Sequence, residues 1–239
     1  MSNELPNLVI ATLSAGPVGT GDHLGNIDAA NLKRAMRADS VLLKPDAPLA
    51  PIDAMYVADA SATTNASRVA MVAQTETDFA SATEHYVFAY PRVKGQASVN
   101  VPLGQLGISS PVFAWNWVSR TGELLAANAT LHMPFVDGWS YFVIVPVNRA
   151  GIALLGDTSK IAPLARKRFI SVQNQHNVIA VIHFAKTESS VPVTGYSKLT
   201  PVVKAESGST SGLTFDSLTH LFTFIVHPDR NGYAKVNIG

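Results

Sequence analysis

The sequence predicts a mainly β protein in which an antiparallel β-sandwich, residues 54–239, follows a short strand–loop–helix–strand unit, residues 1–53. Three observations predict this fold class. Beyond Met55 the apolar residues recur with a period near two, which is typical of strands. Hairpin-type turn residues separate the apolar runs. The prolines Pro45, Pro48 and Pro51 interrupt regular strand pairing and indicate a boundary between the two regions.

The composition narrows the classes of protein to be considered. Of the 239 residues, 47% are hydrophobic and 15% are charged, so the chain has ample apolar material for a core. No apolar run reaches the roughly 18 residues that a membrane helix needs. The net charge of +1 gives no electrostatic reason to expect nucleic acid or an anionic membrane as a partner. With no cysteine and no visible secretory signal, the cytoplasm is the default compartment.

The N-terminal unit begins with Asn7–Ala15, a short, apolar and β-branched stretch that predicts a strand covered on both faces. A glycine-rich loop follows, and the next stretch predicts a helix over Asp28–Ala38. Ser40–Leu43 is expected to form a second short strand. One such unit cannot bury both of its faces alone, so it resembles the last piece of a larger domain.

The second region is expected to consist of many short strands joined by turns. The predicted strands are Met55–Ala58, Val69–Gln74, His85–Tyr90, Ala97–Val101, Val112–Val118, Glu123–Ala127, Ser140–Val147, Gly151–Leu155, Phe169–Gln173, Val178–Phe184, Val191–Lys198, Lys204–Ser207, Thr214–Phe215, His220–His227 and Tyr233–Asn237. This arrangement is typical of antiparallel sandwiches and barrels.

Asp22 is the first candidate for a substrate-binding residue, with its neighbours Gly21 and His23. It lies in the glycine-rich loop directly after the first predicted strand, where its carboxylate could accept hydrogen bonds from sugar hydroxyls. The alternative is that Asp22 caps the loop by accepting hydrogen bonds from nearby backbone N–H groups. The glycine spacing matches neither the phosphate loop nor the dinucleotide fingerprint, so no nucleotide cofactor is predicted.

Trp115 and Trp117 are the second candidate pair for sugar binding. They flank Asn116 on one predicted strand and therefore project to the same face. Such a pair could form a flat stacking platform, although paired aromatics of this kind more often fill a core, which is the preferred interpretation.

No catalytic or metal-binding residues can be assigned from the sequence. The seven histidines do not follow the spacing of known metal sites, and no nucleophile stands at an interpretable distance from a base. No cofactor is therefore predicted. The basic residues of one short stretch are interpreted as a solvated turn rather than an anion site: Lys160, Arg166, Lys167 and Arg168.

Two groups of motifs resemble a known family. The run Ser14–Asp22, S-A-G-P-V-G-T-G-D, is followed by a helix and by R-A-D, L-L-K-P and P-I-D. It resembles the last strand of the (β/α)8 barrel in raffinose synthase and α-galactosidase-like glycoside hydrolases. Residues 140–147, 151–160 and 168–172 resemble the β-sandwich that closes those proteins.

The resemblance implies α-galactoside-type sugars as ligands and Asp22 as a loop residue on the substrate side. Ala15 and Gly21 depart from the family pattern, which has glycine and serine at these positions. The family's catalytic carboxylates lie on earlier barrel strands that this sequence does not contain. Because glycoside hydrolysis needs two carboxyl groups, the resemblance implies a chain without hydrolytic activity of its own.

Two functions remain open at this point. The chain is either the C-terminal portion of a glycoside-hydrolase-like protein or a stand-alone β-sandwich module that binds carbohydrate or another protein. In the first case Asn7–Ala15 would leave an open strand edge, together with exposed apolar side chains at Leu8, Val9, Ile10 and Leu13. We then expect self-association, or association with a chain that supplies the rest of the barrel.

Overall fold

A computed structural model describes residues 4–19 and 28–239 of the chain. The helices within these residues are α1 (Glu4–Leu13), α2 (Ala29–Leu32) and α3 (Asp53–Ser61), and 3-10 turns lie at Lys33–Ala35, Asn65–Ser67 and Leu103–Leu106. The strands of the first half are β1 (Ala50–Pro51), β2 (Met71–Asp78), β3 (Thr83–Tyr90), β4 (Ser98–Pro102), β5 (Val112–Asn116), β6 (Thr121–Leu125), β7 (Thr130–Pro134) and β8 (Ser140–Pro146). Those of the second half are β9 (Ile152–Gly156), β10 (Phe169–Asn174), β11 (Val178–His183), β12 (Val191–Ser197), β13 (Val203–Ser207), β14 (Ser209–Phe215), β15 (Leu221–His227) and β16 (Tyr233–Ile238).

The strands form antiparallel sheets, so the prediction of a mainly β, antiparallel protein is confirmed. A six-stranded sheet has the order β1-β2-β3-β8-β5-β6, and β4 pairs with β7 in a separate ribbon. The second half forms two four-stranded sheets with the orders β10-β11-β16-β13 and β14-β15-β12-β9. Every pairing between these strands is antiparallel.

The central strands of the six-stranded sheet are buried on both faces, and successive side chains of each strand point to opposite sides. On β3, Tyr86 and Phe88 belong to the first core, which also contains buried residues from both four-stranded sheets. The alternate residues Val87 and Ala89 belong to the second core, which the β4–β7 ribbon and α3 also line. The central strands β5 and β8 therefore appear in the sequence as nearly continuous apolar runs.

The N-terminal segment is a helix, so the predicted strand Asn7–Ala15 is wrong. Counting from Leu5, apolar residues recur at Leu8, Val9 and Leu13, which is the i, i+3, i+4, i+8 spacing of one helix face. Ile10 lies on the opposite face and is 36% exposed. The β-branched residues of this stretch suggested a strand, but the 3.6-residue period decides its structure.

The expected open edge is absent because α1 is covered by its own chain. Leu8, Val9 and Leu13 are buried in the first core, and the Leu49 amide donates to the Leu13 carbonyl at 3.0 Å. A helix satisfies its backbone hydrogen bonds internally, so no strand edge is left to pair. The reason for expecting association through this segment is thus removed.

Other element predictions also need correction. Met55–Ala58 lies within α3, and the helix expected over Asp28–Ala38 is limited to α2 and the 3-10 turn that follows it. Around Ser40–Leu43 the pairing is a single bridge between Met36 and Leu42. Strands β1 and β7 were not anticipated. The division of the chain after residue 53 stays a prediction.

No helix in the described residues is long and apolar enough to cross a membrane.

Candidate functional site: a charge-balanced polar cleft

A cleft of about 500 Å³ opens at one end of β11, beside the turn between β15 and β16. Three segments that are distant in sequence line it: Arg37–Asp39, His183–Glu188 and Pro228–Gly232. We call it the Arg37 cleft. Its polar side chains are held by hydrogen bonds and ion pairs within the chain, so the site is formed before any ligand arrives.

Arg37 connects the first of these segments to the second. Its Nε and Nη2 atoms donate to the two carboxylate oxygens of Asp39, at 3.1 and 2.5 Å. Its Nη1 atom donates to the Lys167 carbonyl at 2.7 Å and to Nδ1 of His183 at 2.8 Å. The hydrogen bond from Arg37 lowers the pKa of Asp39, which stays ionised.

His183 is neutral in this arrangement. Because an arginine is always protonated, the His183 Nδ1 atom must accept from Arg37, and the ring proton resides on Nε2. Burial lowers the pKa of His183, and the positive charge of Arg37 lowers it further. The His183 ring stacks on the Tyr233 ring, with centroids 4.7 Å apart and planes 14° from parallel.

Glu188 is the second carboxylate of the cleft, and Arg168 fixes its position through hydrogen bonds. The Arg168 guanidinium is fully buried and donates two parallel hydrogen bonds to Glu188, at 2.5 and 2.6 Å. The backbone amides of Ala185 and Ala38 also donate to Glu188, at 2.7 and 3.2 Å. Although burial raises the pKa of Glu188, these hydrogen bonds lower it to about 2.

The charges that line the cleft are balanced. The basic side chains are Arg37, Lys186 and Arg230, and the acidic ones are Asp39, Glu188 and Asp229. An uncharged ligand with many hydroxyl groups suits such a wall better than an ion does, because donors and acceptors alternate without a net field. Neither Asp39 nor Glu188 can act as a general acid near neutral pH, because the pKa of each is lowered.

The carboxyl groups with raised pKa values lie elsewhere. Burial raises the pKa of Glu84 to about 8, and it also raises that of Asp157, but these residues are only 1% and 2% exposed. Glu76 also has a raised pKa, mainly through burial, and its carboxylate lies 3.4 Å from Nδ1 of His85. The His85 ring borders a second cleft of about 260 Å³.

That second cleft does not contain a nucleophile activated by a base. Ser109 and Ser110 line it, but no hydroxyl group in the described part of the chain hydrogen-bonds to His85. Burial also lowers the pKa of His85 to about 4, which makes its ring a weak base. Within residues 4–19 and 28–239, no cluster of three His, Asp or Glu side chains could hold a metal ion.

The structure does not describe the loop on which the first sequence candidates lie. Gly21, Asp22 and His23 fall within residues 20–27, outside the described residues. The choice between a sugar-binding and a loop-capping role for Asp22 therefore stays open.

Trp115 and Trp117 lie in the core, which is the interpretation preferred from the sequence. The alternative, an exposed stacking platform, is wrong. Trp115 is 5% exposed and Trp117 is 2% exposed, and both pack in the first core. Trp139, the third tryptophan, is 6% exposed. Sugar stacking requires an accessible ring face, which none of the three provides.

The interpretation of the basic stretch as a solvated turn also needs correction. Arg168 is buried against Glu188, while Arg166 reaches the surface and pairs with Asp46 at 2.8 Å. Arg168 directly precedes β10 and is buried, whereas Arg166 lies in the exposed turn before it. The closely spaced charges of Arg37 and Asp39 are a signal in the sequence that points to this cleft.

No protein-family model matches this chain, and no curated protein matches its sequence. The resemblance to raffinose synthase-like hydrolases therefore depends on the quoted motifs alone and stays a prediction.

Proposed function

We propose that the chain is a carbohydrate-binding β-sandwich protein without hydrolytic activity of its own, and that it holds α-galactoside-type sugars in the Arg37 cleft. The observation that carries the proposal is the charge-balanced wall of this cleft, in which the pKa values of Asp39 and Glu188 are lowered so that both carboxylates are ionised. The type of sugar comes from the sequence resemblance.

The arrangement of the sheets supports the sandwich. The β14-β15-β12-β9 sheet contributes Val193 and Phe224 to the first core, and the β10-β11-β16-β13 sheet contributes Ala180 and Val236. Side chains from two antiparallel sheets that share one core are typical of this architecture.

Fixed hydrogen-bonding groups support the sugar-binding role. Asp39 can accept from a hydroxyl group of a pyranose, and Nε2 of His183 can donate to a neighbouring one, whereas the lone pairs of Glu188 are already used by four donors. Because Arg37 and Arg168 already hold the two carboxylates, a ligand would not need to order them, which lowers the entropic cost of binding. The Tyr233 ring, 39% exposed, supports His183 from behind.

The protonation states of Asp39 and Glu188 support the proposed lack of hydrolytic activity. A glycoside hydrolase needs one carboxyl group that is protonated at working pH and another that is ionised. In the Arg37 cleft the pKa of Asp39 and that of Glu188 are both lowered, so neither supplies the proton.

Calorimetric titration with methyl α-galactoside tests the proposal, with methyl α-glucoside as the epimeric control sugar. We expect binding of the galactoside and a loss of about tenfold in affinity for Asp39→Asn, because a hydrogen bond to a charged group contributes roughly 1.5–3 kcal/mol. The matched control is Asp137→Asn, an exposed turn residue with φ 53° that asparagine tolerates. Equal affinity of the Asp39→Asn variant and the unmodified protein would refute the assignment of the site.

A hydrolysis assay tests the second half of the proposal. We expect no galactose release from methyl α-galactoside or raffinose above the buffer background. Turnover that survives in the Asp39→Asn variant would show a catalytic site elsewhere in the chain.

A further inference from the structure

Trp117 stands at the centre of a separate cluster of positive charges. The guanidinium carbon of Arg120 lies 4.7 Å from the centroid of the indole, and that of Arg34 lies 5.4 Å from it. The indole Nε1 atom donates to the Lys160 carbonyl at 2.8 Å, which fixes the ring. The Lys160 ammonium in turn donates to the Lys33 carbonyl at 2.8 Å. We call these residues the Trp117 cluster.

The cluster brings four cations together without a carboxylate partner among the described residues. None of the ion pairs in the described residues includes Lys33, Arg34, Arg120 or Lys160. The nearby carboxyl group of Asp157 is buried, and one of its oxygens accepts from the amide and the hydroxyl of Ser159. Cation–π contact with one indole offsets only part of the repulsion between two guanidinium groups.

The protonation equilibria agree with this crowding of charge. Burial lowers the pKa of Arg120, and the neighbouring charge of Arg34 lowers it further. Burial likewise lowers the pKa of Lys160, in spite of the opposing charge of Asp157.

Hydrogen-bond donors remain unused within the cluster. The Nε atom of Arg34 is buried and has no hydrogen-bond partner among residues 4–19 and 28–239. Within the described residues the Arg120 side chain makes one hydrogen bond, from Nη1 to the Thr158 carbonyl at 2.5 Å, which anchors the guanidinium without using its other donors. Two guanidinium groups at one indole are suited to planar or tetrahedral oxyanions, which arginine binds through paired N–H groups.

We propose that the Trp117 cluster is a binding site for an anionic oxygen group, carboxylate or phosphate, and that Arg34 and Arg120 supply its principal donors. An anion there neutralises the repulsion between the two guanidinium groups and satisfies the buried Nε–H of Arg34. The site is independent of the Arg37 cleft, since it uses different side chains and binds an anion where the cleft binds an uncharged sugar.

The test measures intrinsic tryptophan fluorescence and Tm during titration with inorganic phosphate, with sodium glucuronate, and with sodium chloride at matched ionic strength. Trp117 is the one tryptophan in the described residues with a guanidinium group over its ring, so an anion that moves either arginine changes its emission. We expect a saturable fluorescence change at millimolar anion and a rise in Tm of a few degrees. Response to phosphate alone would identify a phosphoryl ligand, and response to glucuronate alone would identify a carboxylate.

Arg120→Gln and Arg34→Gln are each expected to abolish the saturable response, while the exposed Arg149→Gln is the matched control and retains it. Arg120 is more exposed than Arg34, so its variant keeps the test decisive if Arg34 proves necessary for folding. A response to neither anion beyond that of sodium chloride, or an unchanged response in Arg120→Gln, would overturn the proposal.

Discussion

Replacement of the buried Glu84 by glutamine is expected to remove a large part of the pH dependence of stability. Glu84 is 1% exposed, and one of its oxygens accepts from the Tyr86 hydroxyl and from the Leu164 amide, the latter at 3.0 Å. Its other oxygen is buried without a hydrogen-bond partner in the described part of the chain. Burial raises the pKa of Glu84 from 4.5 to about 8, so the folded protein keeps a proton that the unfolded chain loses.

The sign and size of the effect follow from this difference in pKa. Below pH 4.5 both states are protonated, and Glu84 does not oppose folding. Between pH 4.5 and 8 the free energy of unfolding falls by about 1.4 kcal/mol per pH unit, and above pH 8 the loss levels off at about 5 kcal/mol. A glutamine at this position cannot ionise. The free energy of unfolding of the variant, relative to that of the unmodified protein, should therefore increase by these amounts as pH rises.

Urea unfolding, followed by tryptophan fluorescence at several pH values from 4.5 to 9, measures the difference. Glu76→Gln is the matched control, because Glu76 lies on the neighbouring strand and its side chain is 43% exposed. The difference in free energy of unfolding between Glu76→Gln and the unmodified protein should vary far less with pH. If the advantage of Glu84→Gln is the same at pH 5 and pH 8.5, Glu84 is not a buried acid with a raised pKa.

Three further changes test the packing and the ion pairs by urea unfolding and circular dichroism. Leu13→Ala should lower the free energy of unfolding by about 2–5 kcal/mol because this side chain is fully buried, whereas Ile10→Ala, on the exposed face of the same helix, should cost far less; equal losses would contradict the position of α1. Deletion of residues 1–53 should leave an unfolded chain, since it removes α1 from the first core and β1 from its sheet; a folded, soluble product would show that this segment is dispensable. Glu188→Gln should cost about 3–5 kcal/mol because it leaves a buried arginine without its counter-charge, whereas Glu206→Gln, at an exposed ion pair, should cost less than about 1 kcal/mol; similar small losses would mean that the buried pair does not stabilise the fold.

Most strands could be predicted because their signals are local. The stretch His85–Tyr90 is marked by its apolar alternation and its flanking turns, and the structure extends it by two residues to Thr83–Tyr90. The sequence of α1 is ambiguous because its β-branched residues favour a strand, whereas the spacing from Leu5 to Leu13 favours a helix. Short segments of this kind satisfy both templates in part, and only the number of faces that become buried distinguishes them.

The Arg37 cleft could not be predicted in the same way because its contacts are long-range. Arg37 and His183 are 146 residues apart in sequence, and no local motif connects them. Arg168 belongs to a basic stretch near a turn, and such stretches are usually solvated. The burial of Arg168 depends on Glu188, which reaches it from the loop beyond β11. Residues that act through distant partners in this way are identified only after the sheets are assembled.

Chemical-shift mapping of backbone amides during titration with methyl α-galactoside tests the sugar-binding proposal most directly. It reports the position of the ligand without assuming a site and covers all parts of the chain, including the loop that contains Asp22. We predict saturable shifts concentrated in residues 37–39, 183–188 and 228–232, and absent from the amides around Trp115 and Trp117. Shifts concentrated elsewhere, or none at saturating sugar, would contradict the assignment of the Arg37 cleft as a carbohydrate site.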